Sequence, residues 1–235
     1  RSLVDLPEQH RAGVDNLLIT KDGRLTTSCS SDIFSEDHAV KVWDIEQGIL
    51  QHSFEGHHHG VDNLLLAEDG RLITSCSIGD HSIKVWDIEQ GAMLHSLEGH
   101  SHGVFKMLLT TDGRLITSSR YGENTMKAWN VLTRRRFSTI KIWDIEQGVL
   151  LHSLEGHRDG VDNLLLTQDG RLITSCSIRS VTRDSAVKIW DIEKGRLLHS
   201  LKGHRGGVNN MLLTQDDSLI TSGYFGNSFL KVWDI

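Results

Sequence analysis

Short apolar runs separated by polar turns recur along the chain, and residues 56–99 show the repeating unit most clearly. Runs this short, rich in Leu, Ile and Val and bounded by Gly and Asp, are typical of β-strands; no segment has a competing helical period. The four runs of this unit are GVDNLLLA from Gly60, RLITSCS from Arg71, SIKVWDI from Ser82 and AMLHSLE from Ala92. Asp69-Gly70 and Gln90-Gly91 are typical of tight turns. The unit is therefore predicted to be a four-stranded antiparallel meander.

The first run occurs five times, and each copy starts at a glycine: Gly13, Gly60, Gly103, Gly160 and Gly207. One small sheet cannot bury both of its faces, whereas several sheets arranged radially cover each other. We therefore expect an all-β fold with five such sheets.

The third run occurs six times, and each copy contains a tryptophan: Trp43, Trp86, Trp129, Trp143, Trp190 and Trp233. Trp129 and Trp143 are only 14 residues apart, with no first or second run between them. We interpret residues 126–145 as the remnant of a repeat and predict an irregular extra hairpin over 126–155.

The two ends of the chain are complementary in pattern. Residues 1–6 (RSLVDL) align with a fourth run, and the last repeat stops at a third run, Trp233 to Ile235. Pairing of this N-terminal strand with the last sheet would close a ring and remove two exposed sheet edges.

Composition narrows the functional classes. The net charge of −6 predicts no general attraction to nucleic acid or to an anionic membrane. The three cysteines, Cys29, Cys76 and Cys176, occupy the same position in different repeats, which favours small buried hydrophobes in a reducing compartment. No apolar run approaches the roughly 18 residues of a membrane span, and no signal peptide is visible, so a cytoplasmic protein is expected.

The Gly-His openings, Asp-Gly turns and Trp-Asp closings, repeated about every 43 residues, resemble those of WD-repeat β-propellers over essentially the whole chain. The resemblance implies a single all-β propeller of four-stranded antiparallel blades, with five recognisable blades and the partial hairpin. The expected blades cover about 10–55, 57–98, 100–140, 157–202, and 203–235 together with 1–7.

The resemblance also implies a hydrogen-bonded structural tetrad in each blade, formed by a Trp, a Ser or Thr, a His and an Asp. Buried indole, hydroxyl and imidazole groups need such partners. The expected members are His10, Ser28, Asp37 and Trp43; His57, Ser75, Asp80 and Trp86; His100, Ser118 and Trp129; His157, Ser175, Asp184 and Trp190; and His204, Ser222 and Trp233.

Members of the family most often have seven blades, so three arrangements stay open. The chain could form a five-bladed ring with an extra hairpin, belong to a larger propeller, or complete its ring with another copy of itself. The near-identity of the repeats indicates recent amplification or design.

The candidate chemistry is better explained by structure. His58 and His59 follow His57 in a loop without carboxylate or Cys ligands at metal-binding spacing, so no metal site is expected. The recurrent Ser, His and Asp residues lack a nucleophile elbow or an oxyanion-hole signal. We expect no catalytic residues, no cofactor and no enzymatic activity.

In propellers of this kind, the residues around the first-strand Val line the top face, where partners commonly bind. By resemblance, the candidate binding residues are those after this Val, Asp15, Asp62, Phe105, Asp162 and Asn209. Residues that precede the loop Asp also lie at this face in the family, which adds Glu36 and Arg183. The predicted function is a non-catalytic scaffold that binds a protein or peptide. The alternatives are a designed or amplified repeat protein without a specific ligand, and a multivalent lectin-like binder.

Overall fold

The structure, a computed structural model, describes residues 10–11, 13–29, 38–119, 138–157, 160–176, 186–204, 206–223 and 230–235. These residues form antiparallel sheets, and no helix occurs among them. The predicted all-β class with four-stranded antiparallel sheets is confirmed. Within the same residues, no helix is long and apolar enough to cross a membrane.

The chain divides into two compact units: residues 1–104 with 145–149, and residues 105–144 with 150–235. The first unit holds two four-stranded sheets. Sheet one contains β1 (Asn16–Ile19), β2 (Leu25–Ser28), β3 (Val40–Asp44) and β4 (Ile49–Phe54). Sheet two contains β5 (Asn63–Leu66), β6 (Arg71–Ser75), β7 (Ile83–Asp87) and β8 (Ala92–Leu97).

The second unit holds most of the other three sheets, and in each of them neighbouring strands follow one another along the chain. Sheet three contains β9 (Val104–Leu109), β10 (Arg114–Ser119), β11 (Ser138–Asp144) and β12 (Val149–His157). Sheet four contains β13 (Asn163–Leu166), β14 (Arg171–Ser175), β15 (Val187–Asp191) and β16 (Arg196–Leu201). Sheet five contains β17 (Val208–Leu213), β18 (Ser218–Gly223) and β19 (Leu230–Asp234).

The first turn of each sheet shows why the Asp-Gly pairs are there. Gly70 has φ of +90°, and the Ala67 N–H donates to the Arg71 carbonyl over 2.8 Å. A left-handed glycine that closes a short turn matches the right-handed twist of the paired strands. The equivalent residue of sheet five is Asp217, whose φ of 59° is tolerated by few residues other than Gly, Asn and Asp.

Apolar side chains on the faces of consecutive sheets form the core. Val40, Val42 and Phe54 of sheet one pack in one cluster with Leu72 and Trp86 of sheet two. Two further clusters of the same kind lie in the second unit, between sheets three and four and between sheets four and five. Within each unit the core therefore lies in layers between neighbouring sheets, because a small sheet buries an apolar face against the next one.

The structure corrects the assignment of the two neighbouring Trp repeats. β11, which contains Trp143, pairs with β10 from Arg114↔Asp144 to Ser118↔Ile140. Ile140 and Ile142 of this strand are fully buried, as the matching Val and Ile residues of sheets one, two and four are. The prediction that Trp129 supplies the third strand, and that 126–155 form an extra hairpin, is wrong: β11 and β12 complete sheet three. Trp129 itself lies outside the described residues.

The predicted closing strand, Arg1 to Leu6, also lies outside the described residues, so ring closure stays a prediction. Sheet five shows three strands in the order β17-β18-β19.

Candidate functional site

Four polar side chains of sheet two form a buried chain of hydrogen bonds. The Trp86 indole Nε1–H donates to Thr74 Oγ1 over 2.8 Å, and Thr74 Oγ1 lies 2.7 Å from His57 Nε2. His57 Nδ1 lies 2.7 Å from Asp80 Oδ2. All four side chains are buried, so each polar atom needs the partner that the next residue supplies.

The direction of the protons follows from the donor set. The indole can only donate, so the Thr74 hydroxyl accepts from it. The ionised Asp80 can only accept, so Nδ1 of the neutral His57 imidazole carries the proton and donates it to Asp80. His57 Nε2 is then the acceptor of the Thr74 hydroxyl proton. Burial disfavours the imidazolium and lowers the pKa of His57 below its usual 6.5, although Asp80 opposes this shift.

Asp80 is surrounded by donors. Besides the imidazole, the Ser82 N–H and hydroxyl donate to its Oδ1 over 3.0 and 2.7 Å, and the His58 N–H donates to Oδ2 over 3.3 Å. Burial raises the pKa of the Asp80 carboxyl, but the bonds from His57 and Ser82 outweigh it and hold that pKa well below its usual range. The ionised carboxylate thus ties the loop before β7 to the histidine before β5.

The Trp–Thr bond recurs in all five sheets. The donor–acceptor pairs are Trp43–Thr27, Trp86–Thr74, Trp143–Thr117, Trp190–Thr174 and Trp233–Thr221, at 2.8 to 2.9 Å. Four histidines bond to the same hydroxyls through Nε2: His10, His57, His157 and His204. His100 is buried at the equivalent place of sheet three. Asp37 and Asp184 lie outside the described residues.

The structure corrects the predicted hydroxyl member of the tetrad: it is the threonine that directly precedes each predicted serine. The predicted serines, Ser28, Ser75, Ser118, Ser175 and Ser222, do not contact the indoles through any described bond; the preceding threonines do. Leu72 of β6 pairs with Trp86, so the residue two positions later, Thr74, faces the same side as the indole. Ser75 faces the opposite side of the sheet, because strand side chains alternate.

The serines have a different use, which the sequence interpretation missed. The Asn63 amide donates to Ser75 Oγ over 3.2 Å and to the Val104 carbonyl over 3.1 Å. Asn16 makes the same pair of bonds, to Ser28 and to the Val61 carbonyl. The signal was visible in the repeated Val-Asp-Asn triplet of the first run, in which the Asn recurs at a fixed position.

His57, Cys76 and Asp80 form the one described group of side chains that could hold a metal ion. The geometry argues against such a site. His57 Nδ1 and Asp80 Oδ2 are at hydrogen-bond distance, and the group supplies three ligands whereas a structural zinc needs four. The Cys76 thiol donates to the His59 carbonyl over 3.3 Å. The group fits a protonated hydrogen-bond network better than a metal centre.

Five of the seven candidate binding residues occupy one position in the sheets, directly after the first-strand Val. The backbone N–H groups of Asp15, Asp62 and Asp162 each donate to the carbonyl of a second-strand serine over 3.1 Å. Asp15 and Asn209 are exposed, whereas Asp62, Phe105 and Asp162 are half-buried. Glu36 and Arg183 lie outside the described residues.

Asp62 and Phe105 show well-defined local contacts. Asp62 Oδ2 accepts from the Ser77 N–H and hydroxyl over 2.6 and 2.7 Å, so its carboxylate is held in one orientation. The Lys106 ammonium lies 5.5 Å from the centre of the Phe105 ring, within the range of a cation–π contact. A carboxylate can accept about four bonds, so Asp62 keeps capacity for a further donor.

Removing the Thr74 hydroxyl is expected to destabilise the fold more than removing that of Ser75. Thr74→Val leaves the indole N–H of Trp86 and Nε2 of His57 without partners, which costs roughly 2 to 5 kcal/mol of unfolding free energy. Thr74→Ser keeps the hydroxyl and costs about 1 kcal/mol. Ser75→Ala removes one bond and costs about 1 kcal/mol. Urea unfolding measures all three, and a larger loss for Ser75→Ala than for Thr74→Val would contradict the assignment.

The stability of the protein is expected to fall in mild acid. The folded state keeps His57 and His204 neutral, since burial lowers both pKa values, while the unfolded chain takes up protons near pH 6.5. The unfolding free energy therefore decreases as the pH falls below about 6.5, by up to about 1.4 kcal/mol per pH unit for each histidine. The lowered pKa of Asp80 continues the loss at lower pH.

Urea titrations between pH 8 and 5 measure this effect. His58→Gln, which changes an exposed imidazole of the same loop, is the control and should show the same decline. A stability that stays constant or rises between pH 7 and 5.5 contradicts the neutral, buried network.

Comparison with known proteins agrees with this geometry. The family described as WD domain, G-beta repeat matches residues 48–87, 91–130, 148–191 and 195–234, more than half of the chain. No curated protein matches the chain.

Among solved structures, the chain is similar to the "Crystal structure of the computationally designed Ika4 protein". The two are 25% identical, with a TM-score of 0.58, over 78% of this chain and 96% of that one. Repeated Trp–Thr–His networks in antiparallel sheets, together with the four matched repeats, show that this chain belongs to the WD domain, G-beta repeat family.

Proposed function

We propose that the protein is a non-catalytic scaffold that binds a protein or peptide through its top face, defined by Asp15, Asp62, Phe105, Asp162 and Asn209. Glu36 and Arg183 are further predicted members. Membership of the WD-repeat family supports this class of function, since such repeats generally mediate protein–protein interactions. In this proposal the five sheets are the blades of a propeller.

One observation carries the proposal: the first-strand acidic residue has the same backbone anchor in three sheets. The Asp15, Asp62 and Asp162 N–H groups bond to Ser28, Ser75 and Ser175 carbonyls over equal distances. Each of these aspartates therefore occupies the same position in its own sheet. The repetition of a negative charge at this position in three sheets would suit a partner with several positive charges.

The chemistry of the partner follows from the charges. Carboxylates pair with Arg or Lys, and Arg binds a carboxylate in a bidentate manner. The overall charge of −6 also favours the approach of a cationic segment. A basic peptide is thus the expected partner class, and Phe105 offers an aromatic surface for an Arg side chain.

The non-catalytic part of the proposal is supported by the histidine geometry. Both nitrogens of His57 are engaged, one by Thr74 and one by Asp80, so neither is placed to accept a substrate proton. The thiol of Cys76 is buried, and its pKa is raised, which makes it a poor nucleophile.

The experiment is a binding screen against arrayed peptides of matched length that are rich in Arg and Lys, rich in Glu, or neutral. We expect binding of the basic class, with an affinity that falls as salt rises. The triple variant Asp15→Asn, Asp62→Asn, Asp162→Asn should weaken that binding at least about tenfold, the loss of roughly 1.4 kcal/mol.

A matched control removes three charges from exposed turns instead: Glu46→Gln, Glu68→Gln and Glu146→Gln. This variant should bind as the unchanged protein does. Equal weakening by both triple variants would show a response to net charge and would contradict a top-face site.

The alternative is a repeat protein without a specific ligand. The near-identical repeats and the similarity to a computationally designed structure favour it. Failure of every peptide class to bind, with the fold intact by circular dichroism, would support this alternative over the scaffold.

A further inference from the structure

Consecutive sheets are joined by a recurring set of hydrogen bonds. Between sheets one and two, the Val61 N–H donates to the Cys29 carbonyl over 2.7 Å. The Val61 carbonyl in turn accepts from the Asn16 amide over 2.9 Å and from the Ser28 hydroxyl over 3.0 Å. We call this set a joint. Equivalent bonds to the first-strand Val occur at Val104, Val161 and Val208.

Each joint also has an apolar part. One sheet supplies two β-branched residues of its third strand, such as Val40 and Val42, which are fully buried. The following sheet supplies alternate first-strand residues, such as Leu64 and Leu66, which pack against that cluster. A joint therefore has two different halves: a trailing face on the earlier sheet and a leading face on the later one.

The described residues of the leading face of sheet one are largely exposed. Leu17 and Ile19 of this face are 69% and 65% exposed, and Val14 and Ile45 are 46% and 43% exposed. In the other sheets, the residue equivalent to Val14 is fully buried: Val61, Val104, Val161 and Val208. The equivalents of Ile45 at Ile88, Ile145 and Ile192 are likewise buried.

The described residues of the trailing face of sheet five are exposed in the same way. Its third-strand residues Leu230 and Val232 are 72% and 69% exposed, and Leu212 of β17 is 61% exposed. The equivalent pairs are fully buried in the four other sheets: Val40 and Val42, Ile83 and Val85, Ile140 and Ile142, and Val187 and Ile189. Exposed apolar patches of this kind mark interaction surfaces.

A glycine gives independent support. A Cβ on Gly103 would lie 2.2 Å from the Ser77 backbone, so the close approach within a joint requires a glycine there. Gly13 is the equivalent residue of sheet one, and a Cβ on it would meet nothing within 4 Å. The leading face of sheet one thus carries the glycine that a joint needs, and none of the described residues would lie within 4 Å of a Cβ there.

We propose that the trailing face of sheet five binds the leading face of sheet one of a second copy of this chain and forms the same joint. Every chain carries one of each half, and both halves are chemically the same as the ones already joined inside it. Asn210 of β17 holds the position of Asn16 and Asn63, and Val14 holds the position of Val61. The predicted bonds are from the Asn210 amide to the Val14 carbonyl, and from the Val14 N–H to the Gly223 carbonyl.

The proposed contact is head-to-tail. Such a heterologous interface leaves one leading face and one trailing face of the assembly unpaired. Two copies therefore either pair these faces with each other and form a closed dimer with two joints, or add further copies and form a larger assembly. A second copy could not bind if sheet one and sheet five of the same chain paired with each other, or if further repeats covered both faces.

The test is the molar mass in solution, by sedimentation velocity and light scattering, over a wide range of concentrations. We expect species of at least twice the single-chain mass of 26.4 kDa. A mass of one chain at every concentration overturns the proposal.

Two single variants test the head-to-tail geometry. Leu17→Asp damages only the leading face, and Val232→Asp damages only the trailing face; both side chains are exposed, so the fold should tolerate them. We expect each variant alone to be a monomer, because a joint needs one intact half of each kind. An equimolar mixture should form a 1:1 complex of two chains and nothing larger.

Leu197→Asp, on the outer strand β16, is the matched control, since Leu197 is also exposed and belongs to neither face. It should associate as the unchanged protein does. A mixture that stays monomeric, or a single-face variant that still associates with itself, overturns the proposal.

Discussion

A threonine hydroxyl on the second strand of every sheet receives the indole proton of the third-strand tryptophan. In sheet two the same hydroxyl gives its proton to the histidine that precedes the first strand, and the histidine binds the carboxylate of the loop before the third strand. The third-strand tryptophan and the histidine are thereby bound to one oxygen atom, and the loop aspartate is bound to that oxygen through the histidine. The group is buried, so displacing any one of its side chains leaves the polar atoms of the others without hydrogen-bond partners. The segments are therefore expected to fold and unfold together.

The two sides of the second strand make different contacts. In β6, Leu72 and Thr74 face the preceding sheet and carry the apolar layer and the tryptophan network. Ser75, on the other face, takes part in the polar bonds that reach the next first-strand Val. A sheet of this kind is complete only with a neighbouring sheet on each side, which accounts for the exposed apolar residues described on the leading face of sheet one and the trailing face of sheet five.

Much of this organisation could be predicted from the sequence, because repetition marks the strands, the turns and the buried His and Trp residues. The hydroxyl was misassigned because Thr and Ser are adjacent and both can accept an indole proton. The alternation of strand side chains, counted from Trp86 through its partner Leu72, would have selected Thr74. Whether Trp129 or Trp143 belongs to the third strand of sheet three depends on which segment pairs with Arg114 to Ser118. The local sequence pattern does not determine that long-range pairing. The held orientation of Asp62 depends on Ser77, fifteen residues away, for the same reason.

The most direct test of the central claim is hydrogen exchange of the tryptophan indole protons, followed by NMR on the intact protein. The indole protons of Trp43, Trp86, Trp143, Trp190 and Trp233 each have a threonine acceptor in the structure. We predict that all five exchange far more slowly than the indole proton of an unfolded peptide, since exchange requires the network to open. Rapid exchange at Trp143, or at the majority of the five, would contradict the account.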